Sequence, residues 1–105
     1  MGRIEEGRLE LHKVLVSLLG SKNVYFQPPE SLKLSYPCIV YSRDTVDQKY
    51  ADDTKYLKQV KYSVTVVDKD PDSKIVDRIN DSIDFKFVRH YISDNLNHDV
   101  FTVYY

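Results

Sequence analysis

The stretch Gln59-Val60-Lys61-Tyr62-Ser63-Val64-Thr65-Val66-Val67-Asp68-Lys69-Asp70-Pro71-Asp72-Ser73 sets the fold class of this 105-residue chain. Val60, Tyr62, Val64 and Val66 alternate with Gln59, Lys61, Ser63 and Thr65, the two-residue period of a strand with one buried face. The pattern then changes into the opening of a helix. Asp70 suits the N-cap, Pro71 the first helical position and Asp72 the positive end of the helix dipole. Ile75, Val76, Ile79 and Ile83 follow on one helical face.

Working outward from this strand-to-helix unit, Phe85 to Ile92 and Asp99 to Tyr105 read as two more strands. The turn-rich Ser93-Asp94-Asn95-Leu96-Asn97 joins them. On the N-terminal side, Tyr36-Pro37 holds the backbone extended into a β-branched strand, Cys38 to Ser42. Upstream, Asn23 to Gln27 is a short edge strand halted by Pro28-Pro29, where two amide donors are lost. From Ile4 to Leu19 the apolar residues Leu11, Val14, Leu15, Leu18 and Leu19 recur at helical spacing, and Gly20 ends the helix. The stretch from Arg43 to Tyr56 is charged and nearly free of aliphatic residues. It reads as a polar excursion, so its flanking strands are expected to form a hairpin with an oversized loop.

The order is α-β-β-β-α-β-β over a single domain, residues 1–105. Strands grouped into hairpins with two amphipathic helices predict an α+β fold, a mainly antiparallel sheet of about five strands with both helices packed on one face. The other face must meet solvent or a partner. Strict alternation puts Phe85, Phe87 and Tyr91 on one side of their strand and Val88 and Ile92 on the other. Phe101, Val103 and Tyr105 likewise oppose Val100, Thr102 and Tyr104. Apolar groups on both sides leave a surplus once the helices are packed, and such a patch marks an interface. Nine tyrosines against four phenylalanines suit a wet protein interface, because tyrosine packs its ring while keeping a polar tip.

Composition removes several classes of function. Fifteen basic and sixteen acidic residues give a net charge of −1, without the basic excess of a dedicated nucleic-acid binder. The lone Cys38 can form neither an internal disulfide nor a redox pair and suits a reducing compartment. The longest strongly apolar run, Val14 to Leu19, is broken by Ser17 and too short to span a membrane, and the acidic start lacks the layout of a secretion signal. An unexported protein that binds no membrane is expected. Glycine occurs at positions 2, 7 and 20 alone, so no glycine-rich phosphate loop and no nucleophile elbow can be written downstream of Gly20.

No constellation announces catalysis. His12, His90 and His98 lack the spacing that brings two imidazoles to one metal, and hydrogen-bonded histidines are the simpler reading. Asp68-x-Asp70-x-Asp72 imitates the start of a calcium loop but has Ser73 where glycine is required and Ile79 where a bidentate glutamate is required. Helix capping accounts for these aspartates. No catalytic, metal or cofactor site is expected. The candidate residues are instead interfacial: Asp44, Lys49, Tyr50, Asp52, Asp53, Lys55 and Tyr56 in the polar excursion, and Phe85, Phe87, Tyr104 and Tyr105 on the last strands.

The element order, the Tyr36-Pro37 entry, the excursion ending Lys49-Tyr50-Ala51-Asp52, the segment Tyr62 to Ser73 and the aromatic final hairpin together resemble the tail-completion or tail-terminator proteins of long-tailed bacteriophages. These are similar in fold to the tail terminator of phage lambda, and the likeness runs from Leu9 to Tyr105. The resemblance implies a non-enzymatic structural protein that assembles as a hexameric ring, stops tail-tube growth and joins the tail to the head connector. It also implies partners in the tail tube protein and the connector, with a place at the head–tail junction of the virion after assembly in the host cytoplasm. Two other readings compete: a small α+β RNA-binding module using aromatics such as Phe85 and Phe87, or another head-completion component. A small hydrolase or metal enzyme is a further class, which metal analysis and turnover would expose.

Overall fold

The computed structural model describes the backbone of residues 3–51, 55–82 and 84–105, and the side chains of these outside residues 3, 46–51 and 55–59. Helix α1 (Arg3–Leu19) is followed by strands β1 (Val24–Phe26), β2 (Cys38–Ala51) and β3 (Lys55–Asp68). Helix α2 (Lys74–Asn80) and strands β4 (Phe85–Ser93) and β5 (Leu96–Tyr104) complete the α+β fold. The strands form one sheet in the order β1-β2-β3-β5-β4. All neighbours are antiparallel except β1 and β2, which run parallel, so the sheet is mixed.

The core lies on one face. Leu11, Leu15 and Leu19 of α1 and Ile75 and Ile79 of α2 pack with Ile39, Tyr41, Val60, Tyr62, Val64, Val66, Phe101 and Val103 from the sheet. The period-two reading of β3 holds at every described position, since Val60, Tyr62, Val64 and Val66 are all buried. Helix α1 ends where expected, with Gly20 at a φ of 83° and its amide bonded to the Val16 carbonyl at 2.8 Å. A left-handed residue at this position costs glycine least. Strand β1 is short and at the edge. Its return connection is tied back by Asn23 Nδ2, which donates to the Pro37 carbonyl, and by the Ser35 amide, which donates to the Tyr25 hydroxyl, both at 3.3 Å. The Tyr36–Pro37 peptide is cis.

Four expectations are corrected. Arg43 to Tyr56 is not an oversized loop: β2 and β3 stay paired down to Ala51 opposite Lys55, with one bulge between Arg43 and Thr45. Cross-strand hydrogen bonding satisfies this polar backbone as well as water would, and the pairing needs no hydrophobic alternation. The ribbon beyond Lys61 extends about 20 Å past the last pairing with β5 at the rise of an extended chain, and the molecule measures 51 × 28 × 22 Å. Asp52 and Asp53 lie outside the described residues, as does Ile83.

The N-cap of α2 is Ser73 rather than Asp70, its Oγ accepting from the Ile75 amide at 3.3 Å. Asp68 and Asp70 instead accept from the amides of Asp70 and Asp72 at 3.0 and 2.9 Å. These are two successive Asx turns, the local alternative that competes with capping for the same side chains. The β4–β5 turn is tighter than read, with only Asp94 and Asn95 between the strands, at φ of 54° and 62°. Two left-handed residues are what a two-residue hairpin requires.

The fourth correction concerns the faces of β4. A bulge between Phe87 and Arg89 leaves Val88 without a partner on β5 and reverses the alternation beyond it. Phe85 and Phe87 oppose Val103 and Phe101 on the helix side, and so do His90 and Ile92, opposite Asp99 and Asn97. Tyr91, opposite His98, belongs with Arg89 on the open side, contrary to simple alternation.

Candidate functional site

The open face of the sheet is less apolar than expected. Ser42, Ser63, Thr65 and Thr102 share it with Val40 and Val100, all half-buried, and its exposed aromatics are Tyr91 and Tyr104 toward the β4 and ribbon ends. On that face β5 carries Tyr104 and His98, whereas β2 and β3 carry no aromatic ring there among the residues with described side chains. Cys38 and Val67, paired on this face, are buried; desolvation first, and then the nearby Asp68 charge, pushes the Cys38 thiol up to about 11. The thiol is therefore protonated and unreactive at neutral pH.

The apolar surplus is concentrated on β4. Phe87, Val88, Tyr91 and Ile92 are 49%, 52%, 39% and 68% exposed, and only Phe85 of the strand is buried. Among the described residues no strand pairs with the outer side of β4, which leaves a row of backbone donors and acceptors available. The opposite edge differs: β1 has three residues and is blunted by Pro28-Pro29. The side chains of β4 are held in order from beneath. Phe87 meets Phe101 edge-on at 5.4 Å, Tyr91 stacks on His98 at 4.7 Å, and the Arg89 guanidinium lies 5.2 Å from the Tyr91 ring centre. Val88 at the bulge and the cations Lys86 and Arg89 make this edge harder to extend indiscriminately.

The hairpin is fixed at its turn by a buried amide. Asn97 Nδ2 donates to the carbonyls of Asp68 and Lys69 at 3.3 and 3.2 Å, and its Oδ1 accepts from His90 Nε2 at 3.2 Å. This ties the β3–α2 connection to the edge strand. Burial raises the Asp99 carboxyl, with His90 and His98 acting against it. His98 Nδ1 donates to the Leu96 carbonyl at 3.1 Å, and His12 Nδ1 shares a 2.8 Å hydrogen bond with the Tyr41 hydroxyl. Each histidine thus has a structural bond, and the described residues hold no cluster of three metal-ligating side chains.

The sequence-derived interface residues fall into three places. Phe85 belongs to the core and has no free surface for a partner, whereas Phe87 is half exposed on the edge strand. Asp44 sits at the β2 bulge, 3.7 Å from Lys61, which pairs with Tyr104; these three mark the ribbon base, with Tyr105 following. The ion pair is solvent-exposed and contributes little to stability. Tyr105 is anchored by its amide, which donates to the Val60 carbonyl at 3.0 Å. Lys49, Tyr50, Lys55 and Tyr56 lie on the ribbon, Tyr50 opposite Tyr56 and Lys49 opposite Leu57. The sequence-derived set omits Val88, Arg89, Tyr91 and Ile92. The available signal was a nine-residue strand, Phe85 to Ser93, with no acidic residue and apolar groups on both sides. No helix among the described residues is long and apolar enough to cross a membrane. A scan against protein-family models finds no match, and a search of curated proteins finds no similar one.

Proposed function

We propose that this chain is a structural assembly protein, a tail terminator of a long-tailed bacteriophage, that works as a closed ring of sister copies. The observation that carries the reading is the pairing of an exposed, apolar edge strand, β4, with a two-stranded ribbon that leaves the sheet at the other side of β5. An isolated two-stranded ribbon is marginal in water and gains stability by lying on another surface. Strand β4 carries Lys86, Arg89 and His90 and no acid, so pairing β4 with β4 would bring like charges together. The ribbon segment, residues 43–56, mixes the acids Asp44, Asp47, Asp52 and Asp53 with the cations Arg43, Lys49 and Lys55, so it offers acidic partners that β4 itself lacks. Contact between β4 of one copy and the ribbon of the next is heterologous, and a heterologous contact that closes by rotation makes a ring. The ring would cap the tail tube and present its other surface to the head connector.

The test is tail assembly in a phage lacking this chain. Supplying the intact protein is expected to give tubes of uniform length that join heads, whereas tubes that are normal without it would overturn the reading. Charge reversal at Asp52 and Asp53 is expected to leave folding near normal and to weaken joining.

A further inference from the structure

A second feature lies away from β4. The first turns of α1, the end of β1 and the bulged part of β2 enclose a cleft of about 380 Å³, lined by Ile4, Glu5, Arg8, Phe26, Gln27, Arg43 and Tyr62. Two guanidinium groups from different elements border it, and no described carboxylate, Glu5 included, stands within ion-pair distance of either. Arg8 is held at its guanidinium and Arg43 at its backbone. Arg8 lies over the Phe26 ring at 4.5 Å from its centre, and the backbone amide of Arg43 donates to Gln27 Oε1 at 3.2 Å.

Tyr62 lines the same cleft and is buried apart from 1% of its surface. Among the described residues its hydroxyl has no hydrogen-bond partner, yet no buried polar side-chain atom is left without one. Tyr62 thus brings a hydroxyl with no bond to another described side chain to the lining of the cleft. Burial raises its pKa, while Arg43 and then Arg8 act against the rise. At neutral pH the phenol is a proton donor flanked by two permanent cations. The neighbouring Tyr41 hydroxyl is already engaged by His12.

We infer that this cleft binds a small oxyanion, a carboxylate or a phosphate, held by the Arg8 and Arg43 guanidiniums with the Tyr62 hydroxyl as a third donor. Paired planar guanidiniums match two-oxygen acceptors, and a donor hydroxyl favours an anion over a cation. Glu5 at the same cleft selects for a ligand that also carries a donor or that leaves this side free. The volume lies toward the lower end of ligand clefts and accommodates a compact polycarboxylate or a phosphate ester's head group. The site is separate from the β4 edge and stands whether or not the chain forms rings.

The experiment is a titration of the full-length protein with citrate, and separately with inorganic phosphate, followed by two-dimensional NMR and thermal unfolding. Sodium chloride at matched ionic strength is the control. Saturable shifts at Arg8, Arg43 and Tyr62 are expected, with a rise in melting temperature above that in chloride. Arg43→Gln should weaken binding about tenfold or more and leave the melting temperature in chloride nearly unchanged. Tyr62→Phe should weaken it less. Citrate alone binding identifies a carboxylate ligand, and phosphate alone a phosphate one; either supports the site. Shifts that chloride reproduces, or that persist unaltered in Arg43→Gln, would overturn it.

Discussion

Strands β3 and β4 flank the same strand, β5, yet their apolar residues have opposite fates. Val60, Tyr62, Val64 and Val66 of β3 are buried beneath the two helices, while Phe87, Val88, Tyr91 and Ile92 of β4 stand in solvent. The difference is one of position in the sheet. β3 has β2 and β5 on its two sides and helices above, whereas β4 has one neighbour and a bulge. Phe87 and Tyr91 pack on β5 with one side of their rings, yet these four groups keep 39–68% of their surface in solvent, and an exposed apolar patch of this kind is what the proposed assembly would cover.

Truncation of the central region should have the largest effect. Phe101→Ala removes a fully buried ring that supports both β3 and β4, and a loss of about 3–5 kcal/mol in denaturant unfolding is expected. An effect no larger than that of a surface substitution would break the contrast between the two strands. Asn97→Ala removes three hydrogen bonds from a buried amide and is expected to cost about 1–3 kcal/mol. Hydrogen exchange should then quicken at the β3–α2 connection as well as at the β4–β5 turn. Gly20→Ala meets no neighbouring atom but must adopt a φ of 83°, so about 1–2 kcal/mol is expected in thermal unfolding.

The pH dependence separates buried from exposed groups more finely. Burial first, and Arg8 second, lowers the His12 pKa below its ordinary 6.5. The unfolded chain therefore takes up this proton at a higher pH than the folded one. The histidine's contribution to stability is present above about 6.5 and is lost as pH falls from there through the lowered folded value. His12→Gln should flatten that part of the stability profile. Asp99 has the opposite sign, because its raised pKa makes the folded state bind the proton more readily than the unfolded chain. Its contribution grows on acidification toward the ordinary carboxylate range. At the smallest end, Ile92→Lys should change the stability of the isolated chain by less than about 0.5 kcal/mol, with assembly as the readout that moves.

The sequence disclosed these regions unequally, for physical reasons. Alternation from Val60 to Val66 and the helical spacing from Leu11 to Leu19 were legible because burial imposes a period. Arg43 to Tyr56 was misread as a loop because its sequence carries no apolar alternation, and the backbone pairing that makes it a ribbon leaves no mark in residue type. The bulge at Val88 leaves no mark in residue type, and a shift of one residue moved Tyr91 and Ile92 to opposite sides from those expected. Ser73 took the cap because Asp68 and Asp70 were engaged in turns of their own. The apolar surplus on the final strands was legible, although it lies along the edge strand β4 and Phe85 is core. The arginine-bordered cleft could not be read, since its parts come from α1, β1, β2 and β3.

The most direct test of the central claim is native mass spectrometry of the intact protein over a wide concentration range, beside Ile92→Lys. A closed assembly of about six copies in the wild type, reduced to monomer by the substitution while the fold persists, is the predicted result. A wild-type chain that stays monomeric at every concentration and on tail tubes would contradict it.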